Sequence, residues 1–269
     1  MPEDAYTALL ADLAAEAQEL DDAVATLSPA QWRTPTPAEG WTIAHQIAHL
    51  QLTEEFMLLA LTDPAAFAEA LPGATADPGL TQAQLADPEL GTETLAGWRQ
   101  SRERLLDALH AGGPRDRIPW IGPSLSLRTA ATSRIMEIWA HAEDVLTALG
   151  AHRGPTHRLR HIAHLAVAAR DFSFRNRGLP APDEPFRVVV HAPGGEEWAW
   201  GPPDAAERVT AEAYDFALLA TRRLHPDDAE VSAVGEQATA WLGVIQAFAG
   251  PPGPERAVRG APRATAPRD

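Results

Sequence analysis

Residues 41–59, WTIAHQIAHLQLTEEFMLL, decide the fold of the N-terminal part of this chain. Five residues of this stretch are separated by 4, 3, 4 and 3 positions: His45, His49, Leu52, Phe56 and Leu59. Such spacing places them on one face of an α-helix, and the later members are apolar and must face a core. The pattern predicts a helix from an N-cap at Thr42 to about Leu61, with His49 turned inward.

Apolar residues recur at helical spacing in four further segments. These segments are residues 6–27, about 93–111, from Ser124 or Ser126 to about Gly150, and about 156–174. Together with the helix after Thr42 they predict an N-terminal bundle of four to five helices over residues 1–178.

After residue 178 the pattern changes to short β-branched and aromatic segments. Residues 186–191, FRVVVH, and 197–200, EWAW, flank a Pro-Gly-Gly turn and predict a β-hairpin. A third strand at 208–212 and helices at 214–224 and 237–248 follow. The fold class is therefore α + α/β, with a small α/β domain at 179–252 and a disordered Pro-, Gly-, Ala- and Arg-rich tail at 253–269.

The chain is strongly acidic, with 22 basic against 37 acidic residues and a formal net charge of -15 at pH 7. Binding to a nucleic-acid backbone relies on a positive surface, so this balance argues against a nucleic-acid partner. The absence of cysteine excludes disulfides, thiolate ligands and a cysteine nucleophile, so any thiol must come from a second molecule. The acidic N-terminus and the lack of a run of about 18 apolar residues predict a cytoplasmic protein with no membrane partner.

Glu137 and His141 lie four residues apart in the fourth predicted helix, so their side chains share one face. A carboxylate inside a bundle is costly unless it is paired or binds a cation. With an inward His49, the pair supplies two imidazoles and one carboxylate, and three protein ligands with an open position are typical of catalytic zinc sites. We therefore predict that these three residues bind zinc, or alternatively nickel or another divalent metal, with Asp144 as a supporting partner.

A structural interpretation of the same residues stays open. His49 would then be a hydrogen-bonded core histidine, and Glu137 would pair with Arg134 on the helix surface, which is worth only about 0.3–0.5 kcal/mol. A competing histidine cluster lies on the fifth predicted helix, at His157, His161 and His164. Nearby arginines and the lack of a neighbouring carboxylate favour a partly exposed polar face for that cluster.

Two motifs resemble a known superfamily. Residues 36–50, TPAEGWTIAHQIAHL, resemble the Gly-Trp-(Ser/Thr)…His-Leu signature of the DinB-like superfamily. Residues 134–144, RIMEIWAHAED, are similar to the Arg…Glu…His…Asp helix of its mycothiol-dependent maleylpyruvate isomerase branch. The resemblance implies a DinB-like bundle that carries zinc on His49, Glu137 and His141, and chemistry in which a low-molecular-weight thiol such as mycothiol is added, exchanged or transferred. Such bundles commonly pair, which suggests a homodimer.

The resemblance extends to the C-terminal part, because that branch adds a small α/β domain similar to sterol-carrier folds. This domain contributes an arginine to the active-site cleft in that branch. The resemblance implies that Arg222 or Arg223, within residues 217–224, ALLATRRL, fills this catalytic role and holds an acidic group of the substrate.

Two further groups have both a functional and a simpler interpretation. His45, one turn before His49, is a candidate fourth ligand or proton shuttle, or it hydrogen-bonds solvent or backbone at the mouth of the bundle. Arg170 and Arg175 fall where the fifth helix leaves the bundle, and guanidinium groups bind carboxylates bidentately. These two arginines are therefore candidate cofactor-binding residues for an anionic ligand, although ion pairs with neighbours explain them equally well.

Three functions follow from these residues. The first is a metal-dependent transferase or isomerase in which a mycothiol-type thiol attacks a small, electrophilic, acidic substrate. The second keeps the metal without the thiol, in a hydrolase or cyclase of a secondary-metabolite pathway. The third is a metal-dependent binding protein without catalysis.

Overall fold

The structure is a computed structural model that describes residues 3–76, 91–251, 253 and 256–258. It divides into two compact units, Met1–Gly154 and Pro155–Asp269. The tail expected at 253–269 lies for the most part outside the described residues. Among the described helices, none has the length and apolar character needed to cross a membrane.

The first unit is built mainly from helices. They are α1 Glu3–Val24, α2 Pro29–Trp32, α3 Ile43–Thr62, α4 Pro64–Ala76, α5 Gly91–Ala111 and α6 Leu127–Leu149. A short antiparallel pair of strands, β1 Arg117–Ile118 and β2 Leu125–Ser126, leads into α6. Four of the segments predicted as helices from their spacing are confirmed as α1, α3, α5 and α6.

The four long helices of this unit enclose its core. Helix α3 packs against α5 and α6, and α1 packs against the same two helices. Their inward faces bury one apolar cluster, in which Leu50, Trp98 and Ile135 have no exposed surface. This packing sets α3 and α6, the helices that carry the three predicted metal ligands, side by side.

Local sequence fixes the ends of these two helices. Thr42 is extended, as an N-cap residue should be, and its backbone N–H donates to Nδ1 of His45 at 3.0 Å. Ser126 caps α6, because its hydroxyl accepts a hydrogen bond from the N–H of Thr129 at 3.1 Å. Helix α6 ends at Gly150, which adopts the left-handed conformation (φ 65°) that favours glycine.

Helix α4 was not predicted from the sequence, where this stretch looked weakly patterned. Its start is fixed by Pro64 and by the carboxylate of Asp63, which accepts from the N–H of Ala66 at 3.0 Å. Phe67 then packs, fully buried, on the ring of Phe56 with 4.6 Å between ring centroids. A tertiary contact therefore stabilises a helix that has little periodicity of its own.

The second unit combines helices with a four-stranded sheet. Its helices are α7 Leu159–Ala168, α8 Arg170–Arg175, α9 Ala213–Ala220 and α10 Glu236–Val244, and its strands are β3 Phe186–His191, β4 Glu197–Trp200, β5 Glu207–Glu212 and β6 Val231–Val234. The strand order is β4-β3-β5-β6, with β3 and β5 parallel and the other pairs antiparallel.

The predicted hairpin and third strand are confirmed. Strands β3 and β4 pair in register, with Val190 opposite Trp198, and β5 runs beside β3. The edge strand β6 was not predicted, because its four residues are at most half-buried and carry no strong pattern. Helix α9 ends four residues before the predicted end at 224, because Arg222 takes a left-handed conformation (φ 60°) and closes the helix.

The boundary between the two units differs from the one predicted near residue 178. The segment expected as a fifth bundle helix at 156–174 forms α7 and α8, and both belong to the second unit. The apolar face of α7, which includes Ile162 and Ala163, is buried, and α7 packs against α9. An amphipathic helix shows in its sequence that it has a buried face but not which partner covers that face.

Candidate metal centre

The structure brings the three predicted ligands together. His49 lies on α3, and Glu137 and His141 lie one turn apart on α6. One ligand atom from each residue lies within 4.8 Å of the other two, and the two imidazole rings are 4.7 Å apart between centroids. In the described part of the chain this is the only such group of histidine and acidic side chains.

The donor set fits a divalent cation of the zinc type. Ligand atoms at about 2.0–2.2 Å from a tetrahedral ion lie roughly 3.4 Å from one another. The Nε2 atom of His141 is already 3.4 Å from Oε2 of Glu137, and a ligand atom of His49 lies within 4.8 Å of the ligand atoms of both. Two imidazoles and one carboxylate leave a fourth position open, as catalytic zinc sites do.

A buried amide orients His141. Gln46 has no exposed surface, and its Oε1 accepts a hydrogen bond from Nδ1 of His141, while its Nε2 donates to the hydroxyl of Thr36 at 2.9 Å. In neutral His141 the proton is on Nδ1 and the lone pair of Nε2 faces Glu137, whereas in protonated His141 the Nε2–H group faces that carboxylate instead. Hydrogen bonds of this kind fix the tautomer and the ring orientation of metal-binding histidines. Gln46 was not predicted from the sequence, in which its one signal is a polar residue among the inward-facing positions of α3.

The ring of Trp41 covers both histidines. It stands edge-on to His49 at 5.2 Å and stacks on His141 at 6.1 Å between centroids. The indole thereby shields the two imidazoles from water and restricts their rotation.

Glu137 is held in its ionised form. Burial by itself would raise the pKa of this carboxyl group, but the hydrogen bond and charge of His141, together with the charges of Arg134 and His49, lower it to about 2. A quarter of its side chain is exposed, so the carboxylate lies where the site meets solvent. It is therefore available as an anionic ligand at every physiological pH.

Two charged residues behind the site were not recognised from the sequence. The structural alternative paired Arg134 with Glu137 on the helix surface, but Arg134 is only 2% exposed and belongs to the interior. Glu54, on α3, is 1% exposed, and its carboxylate accepts from Nε1 of Trp98 at 3.2 Å and from the hydroxyl of Ser101 at 3.0 Å. Burial raises the pKa of Glu54 to about 7 against the opposing charge of Arg134.

His45 occupies a structural position. Its Nδ1 accepts from the N–H of Thr42 and lies 2.7 Å from the threonine hydroxyl, so it closes the first turn of α3. Burial lowers the pKa of His45. This geometry agrees with the backbone hydrogen-bonding alternative, and a catalytic role for His45 stays a prediction.

The competing histidine cluster does not assemble in the described part of the chain. His157 is 68% exposed at its side chain, and its Nδ1 lies 3.0 Å from a carboxylate oxygen of Glu196 instead. Helical spacing of three histidines is thus not sufficient for a metal site, and His157 lies before the first residue of α7.

The predicted arginines all lie in the second unit. Arg170 pairs with Asp171 at 2.7 Å and lies 4.6 Å from the ring centroid of Phe186, so it has the neighbours that its structural interpretation requires. Arg175 is exposed. Arg222 forms the left-handed end of α9, and Nη1 of Arg223 donates to the carbonyl of Thr221 at 2.8 Å. Their roles in ligand binding and catalysis stay predictions.

Comparisons with known proteins agree with the resemblance seen in the two motifs. The family model of the mycothiol maleylpyruvate isomerase N-terminal domain matches residues 13–146. An uncharacterised protein found in two strains of Mycobacterium tuberculosis is 47% identical over 250 residues, which cover 91% of this chain and 96% of that protein.

Two solved structures share the fold. A crystal structure of the mycothiol-dependent maleylpyruvate isomerase has a TM-score of 0.58 at 16% identity, and a mutant of that isomerase has a TM-score of 0.55 at 17% identity. Each comparison covers 87% of this chain and 93% of the other. At such identity the likeness concerns the fold alone.

Proposed function

This chain belongs to the family defined by the mycothiol maleylpyruvate isomerase N-terminal domain, and we propose on that premise that it is a metal-dependent, thiol-using transferase or isomerase. Its substrate is a small, electrophilic, acidic molecule. The observation that carries the proposal is the convergence of His49, Glu137 and His141 from two helices. Zinc suits two imidazoles and one carboxylate, and nickel is the alternative.

The chemistry of the proposed site follows from its residues. A divalent ion at this position supplies Lewis acidity that lowers the pKa of a thiol toward neutrality. Gln46 holds His141 in the tautomer that binds a cation, and Glu137 adds the negative charge that two neutral imidazoles lack. The ring of Trp41 packs on both imidazoles and occupies one side of the site.

The thiol must be a separate molecule, because the chain has no cysteine. Relatives of known structure are described as mycothiol-dependent, which supports mycothiol as the cosubstrate. The first unit is proposed as the DinB-like bundle, and the second as the sterol-carrier-like α/β domain. Arg222 or Arg223 is proposed to hold the acidic group of the substrate, and Arg170 and Arg175 to bind the anionic cosubstrate.

Metal analysis combined with a turnover assay tests this proposal. The purified full chain should contain about one zinc per molecule and should convert maleylpyruvate, or a related electrophilic acid, only when mycothiol is present. His49→Ala should lose the metal and the turnover. His110→Ala is a matched control, because His110 is an exposed histidine whose ring bonds the backbone of its own helix at Leu106.

The other functions give different results in the same assay. Turnover that is independent of thiol would indicate the hydrolase or cyclase. A binding protein would contain the full amount of metal and show no turnover. Its affinity for maleylpyruvate would be the same in Glu137→Gln as in the natural chain. A natural chain that contains no metal after zinc reconstitution would refute the proposal.

A further inference from the structure

Arg134 is a buried cation beside the candidate metal centre. It precedes Glu137 by three residues and His141 by seven on α6, so all three lie on one face of that helix. Only 2% of Arg134 is exposed. A buried charge is expensive unless it is paired, so the position of this arginine requires a physical reason.

One edge of its guanidinium has no acceptor. Among the described residues, neither Nε nor Nη2 of Arg134 has a hydrogen-bond partner, and both atoms are buried. These two nitrogens carry the parallel N–H groups of one side of the guanidinium, which is the fork that binds both oxygens of a carboxylate. Buried donors in native proteins are nearly always satisfied, so an empty fork points to a partner from outside the chain.

Two carboxylates interact electrostatically with Arg134, and both form their hydrogen bonds or ion pairs with other residues. Both oxygens of Glu54 accept hydrogen bonds, from Trp98 and from Ser101. Glu137 is paired with His141. Each of these carboxylates feels the positive charge of Arg134, and neither forms a hydrogen bond or an ion pair with it in the described part of the chain.

We propose that the Nε–Nη2 edge of Arg134 binds the carboxylate of a small acidic ligand that enters at the candidate metal centre. This rests on the proposed function and adds, to the arginine proposed at position 222 or 223, a second arginine that holds an acidic group of the substrate. With a divalent ion bound, Arg134 and the ionised Glu137 leave a net positive charge whether Glu54 carries its proton or not, and a carboxylate reduces that charge. Glu137 is a quarter exposed at its side chain, so solvent reaches the site there, and the parallel N–H groups of the Nε–Nη2 edge match the two oxygens of a planar carboxylate.

Calorimetric titration with acetate tests the proposal on the full chain, in zinc-loaded and in metal-free form. Acetate should bind the natural chain, and the neutral isostere acetamide should not. Arg134→Lys keeps the charge but loses the fork, and it should weaken acetate binding by about tenfold or more. Arg134→Met, which removes the charge as well, should abolish it. Arg128→Lys is the matched control, since Arg128 is a half-buried arginine at the start of the same helix.

Zinc content and thermal unfolding are measured for every variant, so that a misfolded protein is recognised. If Arg134→Met does not fold, the comparison of Arg134→Lys with Arg128→Lys still decides. Equal acetate affinity in Arg134→Lys and the natural chain, in both zinc-loaded and metal-free forms, would overturn the proposal. So would an absence of acetate binding to the natural chain in both forms, because the fork would then be filled by water.

Failure of the proposed function gives a different pattern. A chain that takes up no zinc, or that turns over its substrate without thiol, refutes that function by metal analysis and assay. Acetate binding to the metal-free chain that depends on Arg134 would still support the present inference.

Discussion

Gln46 on α3 accepts a hydrogen bond from Nδ1 of His141 on α6, and so joins the two helices that carry the candidate metal ligands. The NH₂ group of the same amide donates to the hydroxyl of Thr36, so the Gln46 side chain cannot rotate without breaking both bonds. The orientation of His141 therefore depends on a residue that is neither a ligand nor its neighbour in sequence.

Replacing Gln46 tests this dependence. Gln46→Ala leaves Nδ1 of His141 without an acceptor, and we expect metal affinity to fall by about 10–100-fold, as for other hydrogen-bond partners of metal ligands. Competition with a chelator of known affinity measures the change. Gln51→Ala is the control, because the amide of Gln51 hydrogen-bonds Glu55 one turn along the same helix and forms no hydrogen bond with the candidate ligands in the described part of the chain. A similar loss in both variants would argue against the orienting role.

Metal binding should depend on pH through the histidines and not through the carboxylate. Because burial is outweighed by His141 and the other positive charges, the pKa of Glu137 is about 2, and this group stays ionised down to pH 4. Imidazole ligands must lose a proton before they bind a cation. Two imidazole ligands release at most two protons, so the logarithm of the zinc affinity should change by no more than about two per pH unit. A slope near three would place the carboxylate among the titrating groups.

Glu54 should make the metal-free chain less stable as the pH rises. Burial raises its pKa from 4.5 to about 7 in the folded state, so the folded chain holds this proton more tightly than the unfolded chain. The stability that this proton contributes is fully present below pH 4.5, is lost as the pH rises through 7, and amounts to roughly 3 kcal/mol.

Glu54→Gln mimics the protonated carboxyl group and should not show this loss. Urea unfolding at pH 5 and at pH 8 measures the loss. From pH 5 to pH 8, the free energy of unfolding of Glu54→Gln should increase relative to that of the natural chain by about 2–3 kcal/mol. Equal pH dependence in the two proteins would mean that the proton of Glu54 is lost at the same pH in both states.

Arg153 should be essential for the stability of the first unit. Its guanidinium is 8% exposed and binds Glu16 at 2.5 Å and Glu143 at 2.7 Å, which ties α1 to α6. Arg153→Ala leaves two buried carboxylates without their cation, and such losses cost about 3–5 kcal/mol. Urea unfolding measures the cost, with the exposed Arg104→Ala as a control that should change stability by less than about 0.5 kcal/mol. A cost below 1 kcal/mol would show that the two carboxylates reach solvent or other donors.

The long helices of the first unit, the hairpin of the second and the three candidate ligands could be predicted from the amino-acid sequence alone. This was possible because those features are local. The period of α3 and α6 fixes which residues share a face, and the spacing of Glu137 and His141 fixes that both side chains point the same way.

Which helix faces pack against each other could be seen only in the tertiary structure. It assigned α7 to the second unit, formed α4 on the ring of Phe56, and placed Gln46 against His141. It also put Arg134 and Glu54 in the interior, where sequence patterns predict surface. The physical reason is that burial of a polar group depends on partners far away in the chain, and no local pattern records them.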